Sequence, residues 1–110
     1  MKVEQKGHTT IIRNTQGKTA DFLQKLLHEY HTYKGHNLIL DLSHDKELTM
    51  QDVKAFSDIT NSHKKAKKSL VLVADNVNYN DVPKDITLVP TLLEAHDIIE
   101  MEEIERDLGF

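Results

Sequence analysis

Leu38-Ile39-Leu40-Asp41-Leu42-Ser43 and Leu70-Val71-Leu72-Val73 are the stretches on which the fold turns. Each is of strand length and apolar at nearly every position. A strand with one wet face alternates apolar and polar residues, so an unbroken run predicts a strand covered on both faces. The residues around these runs supply the covering helices. Upstream, Phe22, Leu23, Leu26, Leu27, Tyr30 and Tyr33 recur at spacings of three and four. That stripe predicts a helix from Thr19, closed by Gly35. Between the two runs, Thr49-Met50-Gln51-Asp52 reads as a capping-box start, with Asp in place of the longer Glu. Val53, Phe56, Ile59 and His63 then continue a single helix over Met50 to Lys65.

The flanks complete the pattern. Lys2 to Lys6 and His8 to Arg13, separated by Gly7, read as a hairpin. Ile86 to Val89 is a short third core strand closed by Pro90. Thr91-Leu92-Leu93-Glu94 is a second capping box, opening an acidic helix from about 91 to 108 with Gly109 beyond its end. The expected order is β-β-α-β-α-β-β-α: one α/β domain over 1–110, with a mixed sheet of about four to five strands. Right-handed crossovers would pack the helices mainly on one face.

Composition narrows the function. The chain has 110 residues, 14 basic and 18 acidic side chains, a net charge of −4 and no cysteine. A mildly acidic balance disfavours nucleic acid as the main partner. Without cysteine there are no disulfides, thiolate zinc sites or cysteine nucleophiles. No apolar run approaches the 18 or so residues of a membrane span, and Met1 to Lys6 leads into no signal-peptide core. A cytoplasmic location is expected, with no membrane and no cofactor. Nucleophile–base pairs, metal motifs and glycine-rich phosphate loops are also missing, so an enzyme is not expected.

The run Leu38 to Ser43, the short loop and helix after it, and the basic stretch leading into Leu70-Val71-Leu72-Val73 together resemble the STAS domain of bacterial anti-sigma factor antagonists. Leu88-Val89-Pro90-Thr91-Leu92-Leu93-Glu94-Ala95 looks like that family's last strand and last helix. The resemblance implies a STAS-like fold and a module that binds a sigma-regulatory or kinase-like protein. Its signature is an Asp-Ser-Ser-Gly motif whose serine is phosphorylated at a helix N-terminus, where free N–H groups and the helix dipole favour a phosphate. Here Thr49, Met50, Gln51 and Asp52 stand over the four motif positions. Neither serine position carries a hydroxyl, and Asp52 would repel a phosphate, so the family switch is not expected. Thr49 is the one residue there that could accept a phosphate. The chain also resembles small bacterial proteins labelled ribonuclease Z. That activity needs a His-x-His-x-Asp-His zinc motif, which the seven histidines do not form, leaving the role of an accessory to such an RNA-processing enzyme as the alternative.

Ligands of open α/β sheets gather outside the carboxyl ends of the strands. The expected partner-binding residues are therefore Ser43, His44, Asp45, Thr49, Gln51 and Asp52; Thr49 as a plain helix cap is the competing reading. His28, His31 and His36 have the spacing of a metal pair but no supporting acid, so no metal is expected. Lys64, Lys65, Lys67 and Lys68 either complement a helix C-terminus or meet a polyanion. In the last helix Met101, Ile104, Leu108 and Phe110 are framed by acids. They dock on a partner or a second copy of the chain, or they fold back on the sheet.

Overall fold

The computed structural model describes residues 1–109. It is an α/β structure with one five-stranded mixed sheet. The elements run β1 (Lys2–Lys6), β2 (Thr9–Arg13), α1 (Thr19–Tyr33), β3 (Asn37–Asp41), α2 (Met50–Lys54), α3 (Ser57–Lys65), β4 (Leu70–Val73), β5 (Leu88–Val89) and α4 (Leu92–Asp107). A 3-10 turn, Tyr79–Asp81, lies between β4 and β5. The strands sit side by side in chain order. β1 and β2 form the expected antiparallel hairpin around Gly7, whose φ of 62° suits glycine, and every later pairing is parallel.

The pleat sorts the two apolar runs by parity. Leu38, Leu40, Leu70 and Leu72 pack with Ile12, Phe22, Leu26, Val53, Phe56 and Ile59, beneath α1, α2 and α3. Ile39, Val71 and Val73 face the other way and pack with Ile11, Ala95 and Ile99 of α4. Both faces are covered, which is why Leu38 to Leu40 and Leu70 to Val73 include no polar residue. Three helices therefore share one face, as expected, and α4 occupies the opposite one. Connections of one hand, each advancing one strand in the same direction, must fall on one face. Only the helix after the last strand is free to cover the other.

One expectation is corrected. The helix over Met50 to Lys65 is two helices, with the break at Ala55 and Phe56. There the Phe56 N–H donates to the Val53 carbonyl at 3.1 Å, a turn one residue tighter than α. Neither Gly nor Pro marks the break. Phe56 is fully buried, and burying an aromatic side chain of that size contributes about 2–3 kcal/mol, enough to offset a lost helical hydrogen bond.

Helix ends also depart from the sequence reading. Gly35 follows α1 without adopting a left-handed conformation, whereas Lys67 adopts one after α3, with φ 62°. Gly109 ends α4 at φ 83°, as expected. No helix among the described residues is long and apolar enough to cross a membrane.

Candidate interaction surface

The residues expected to bind a partner lie in the connection from β3 to α2 and at the start of α2; Thr49 and Asp52 hold each other, while Ser43 and Asp45 are held by residues outside that set. Asp41 Oδ1 accepts from the Ser43 N–H at 3.0 Å and the Ser43 hydroxyl at 2.6 Å. Its Oδ2 lies 3.8 Å from Arg13 Nε. Asp45 reaches 26 residues back in the chain: Oδ2 accepts from the Thr19 N–H at 3.0 Å and the Thr19 hydroxyl at 2.8 Å. It thereby supplies the α1 N-terminus with the acceptor that Lys18 cannot provide. Oδ1 takes the Glu47 N–H at 3.0 Å. Burial pushes the Asp45 carboxyl upward, but the Thr19 and Glu47 hydrogen bonds and nearby His44 outweigh it and hold the group below the usual Asp value.

Thr49 caps α2. Its hydroxyl accepts from the Asp52 N–H at 3.3 Å, and Asp52 Oδ2 accepts from the Thr49 N–H at 3.0 Å, a complete capping box despite the short Asp. At α4 the Thr91 hydroxyl accepts from the Glu94 N–H at 3.1 Å. Asn76, in the loop after β4, donates from Nδ2 to the Lys46 carbonyl at 3.2 Å and ties the two loops together. Held this way, the loop presents exposed His44, Lys46, Glu47 and Gln51 on a fixed backbone.

The sequence reading missed a second polar group, at the amino ends of the strands. The Asn37 Oδ1 accepts from the Ser69 N–H at 3.0 Å and from Arg106 Nη2 at 3.3 Å. Arg106 Nη1 donates to the Ser69 hydroxyl at 3.0 Å, and that hydroxyl donates to Glu102 at 2.6 Å. Next to it His63, fully buried, donates from Nε2 to the His36 carbonyl at 2.7 Å and accepts at Nδ1 from the Tyr30 hydroxyl at 2.6 Å. Burial lowers its pKa below the ordinary His value, and Lys68 and Arg106 add to this against the opposing His36 carbonyl. The local signal was the polar residue just ahead of each apolar run, Asn37 and Ser69. Their partner Arg106 comes from the far end of the chain.

His36 bonds Thr10 through Nδ1 at 2.9 Å, away from any pairing with His28 and His31. No three His, Asp or Glu side chains converge on a metal site among the described residues. Lys64, Lys67 and Lys68 line a cleft of about 490 Å³ with Arg106, but Glu102 and Glu105 line it too, so an incoming polyanion meets carboxylates as well. On α4 the inner face lies on the sheet through Ala95 and Ile99, while Met101, Ile104 and Leu108 stay exposed. Phe110, expected among them, lies outside the described residues. Compared with known families and curated proteins, the chain matches no family model and no curated sequence.

Proposed function

We propose that this chain is a non-enzymatic, cytoplasmic protein-interaction module of STAS type, working through the loop Ser43 to Asp52 and without the family's phosphorylation switch. The observation that carries the reading is the engagement of the loop's own polar groups. Ser43 is bound to Asp41, Asp45 to Thr19 and Glu47, and Thr49 to Asp52. Asp41 Oδ1 accepts both the Ser43 N–H and the Ser43 hydroxyl, a local turn that fixes the start of the loop. A loop ordered in advance costs less entropy on docking, which suits a binding platform. A phosphate on Thr49 would have to displace the Asp52 N–H and sit against the Asp52 carboxylate.

The test uses the exposed side chains, so that the caps stay intact. Tagged wild type and a His44→Ala/Gln51→Ala variant are compared as baits in lysate from the source cells. Retention of a kinase-like or sigma-regulatory protein by wild type, with its loss from the variant, is expected. Identical partners on both baits would make the loop scaffold. Mass spectrometry after incubation with lysate and ATP should find Thr49 unmodified; stoichiometric phosphate there would restore the switch.

A further inference from the structure

β1 closes the sheet with its outer edge open. All five of its residues are exposed or half-buried, whereas β2, β3 and β4, partnered on both sides, are buried except at Arg13 and Asp41. The other edge, β5, is two residues long and leaves little to pair. Lys6 and Thr9 close the two-residue turn of the β1–β2 hairpin, so they exchange both backbone hydrogen bonds. Bonded pairs alternate along an antiparallel ladder. Lys2, Glu4 and Lys6 therefore turn their N–H and C=O groups to β2, and Val3 and Gln5 turn theirs to the free edge. The side chains divide by face. Val3, opposite Ile12, stands on the α1 side and is 44% exposed, while Glu4, opposite Ile11, stands with Lys2 and Lys6 on the α4 side.

An edge guarded by lysine alone repels every copy of itself. Here the guard alternates in sign along Lys2, Glu4 and Lys6, so the register of a second, antiparallel β1 decides whether it is repelled. With Val3 opposite Gln5 of the copy, Lys2 meets Lys6 and Glu4 meets Glu4, like charges throughout. With Gln5 opposite Gln5, Glu4 meets Lys6, but Val3 is left against the turn at Gly7. With Val3 opposite Val3, Lys2 meets Glu4 twice, and the two exposed valines cover each other on the opposite face. Within one chain Glu4 stands 3.7 Å from Lys2 and 3.6 Å from Arg13, beyond hydrogen-bond range, and so can still take a second lysine. We propose that β1 pairs with β1 of a second copy, antiparallel and with Val3 opposite Val3, joining the two sheets edge to edge. The pairing is weak, because two strands of this length bury less than the ~1,200 Å² of a stable interface. It forms at high local concentration of the chain, and in the monomer the edge amides stay open.

Sedimentation equilibrium of the full chain at concentrations up to about 1 mM, the range of weak affinities, should show a monomer–dimer equilibrium. Amide exchange followed by NMR should slow at Val3 and Gln5 as the dimer fills. Lys2→Glu and Glu4→Lys each set like charges in both cross-strand pairs, and each should weaken the dimer about fivefold or more. An equal mixture of the two variants should associate as wild type does, because each supplies the charge that the other lacks. The double variant Lys2→Glu/Glu4→Lys should also associate alone. Both positions lie on the surface, and far-UV circular dichroism checks that each variant is folded. Leu93→Ser/Ile104→Ser, on the exposed side of α4, should leave the dimer unchanged. A wild type that stays monomeric throughout, or variants that do not recover on mixing, would overturn the proposal. So would a dimer that the α4 substitutions dissociate, since the contact then lies on that helix. An unchanged dimer in Lys2→Glu would do the same, because only the register with Gln5 opposite Gln5 spares that residue.

Discussion

Lys67 shows how a single backbone angle can be set by its surroundings. Its N–H donates to the Lys64 carbonyl at 2.9 Å and the Lys68 N–H to the His63 carbonyl at 3.2 Å, closing α3 in a Schellman motif. That motif needs a left-handed residue, which costs a side-chain-bearing residue about 1–2 kcal/mol. Lys67→Gly removes this cost and adds some unfolded-state entropy, so stability should rise by about 0.5 kcal/mol, read as a higher urea midpoint. A lower midpoint would refute the assignment. His63 sets a different expectation. Folding holds its pKa below the ordinary value of about 6.5. Its contribution is therefore fully present above the unfolded pKa and is lost as pH falls from there toward the folded value. Urea midpoints should drop between about pH 7 and pH 5, with a slope of at most about 1.4 kcal/mol per pH unit from this group. His63→Gln should be less stable at every pH but should show a flatter profile over that range.

At the scale of elements, α4 is held to the sheet by a small apolar contact and a polar clamp. Ala95 and Ile99 are its only fully buried side chains among the described residues, so Arg106 carries much of the registration. Arg106→Ala should destabilise the fold by about 1.5–3 kcal/mol, the figure for hydrogen bonds to a charged group, here made to the buried Asn37 and Ser69. Arg106→Lys should restore little of it, because one ammonium cannot span Ser69 Oγ and Asn37 Oδ1 as a guanidinium fork does. Full rescue by the lysine variant in chemical denaturation would mean that charge alone matters there. The legibility of elements followed the range of their causes. The β1–β2 hairpin, the α1 stripe, both helix starts at Thr49 and Thr91, and Gly109 were readable because turn and cap chemistry acts within four residues. The break at Phe56 was not, since it answers to core burial. The candidate loop was legible as a place but not as a network. Ser43, Asp45, Thr49 and Asp52 could be named from strand ends and caps, whereas the Asp45–Thr19 bond joins residues that only the fold brings together.

Across the whole molecule, β3 and β4 have a neighbour on each side and a covering on each face, while β1 is an edge strand with only Glu4 even half-buried. Amides of Leu38 to Leu40 and Leu70 to Leu72 should exchange with solvent only through global unfolding, and the unpaired amides of Lys2 to Lys6 far faster. Equal protection along β1 would indicate a further strand on that edge. The α/β class, the two buried runs and the order of elements were determined by the sequence itself, because hydrophobic periodicity and capping are local properties of the chain. Tertiary structure alone decided the chain-order sheet, the placement of α4 on the far face and the clamp from Arg106 to Asn37, 69 residues apart. Such pairings depend on which surfaces meet after collapse, and a pattern of period two or 3.6 carries no record of its partner.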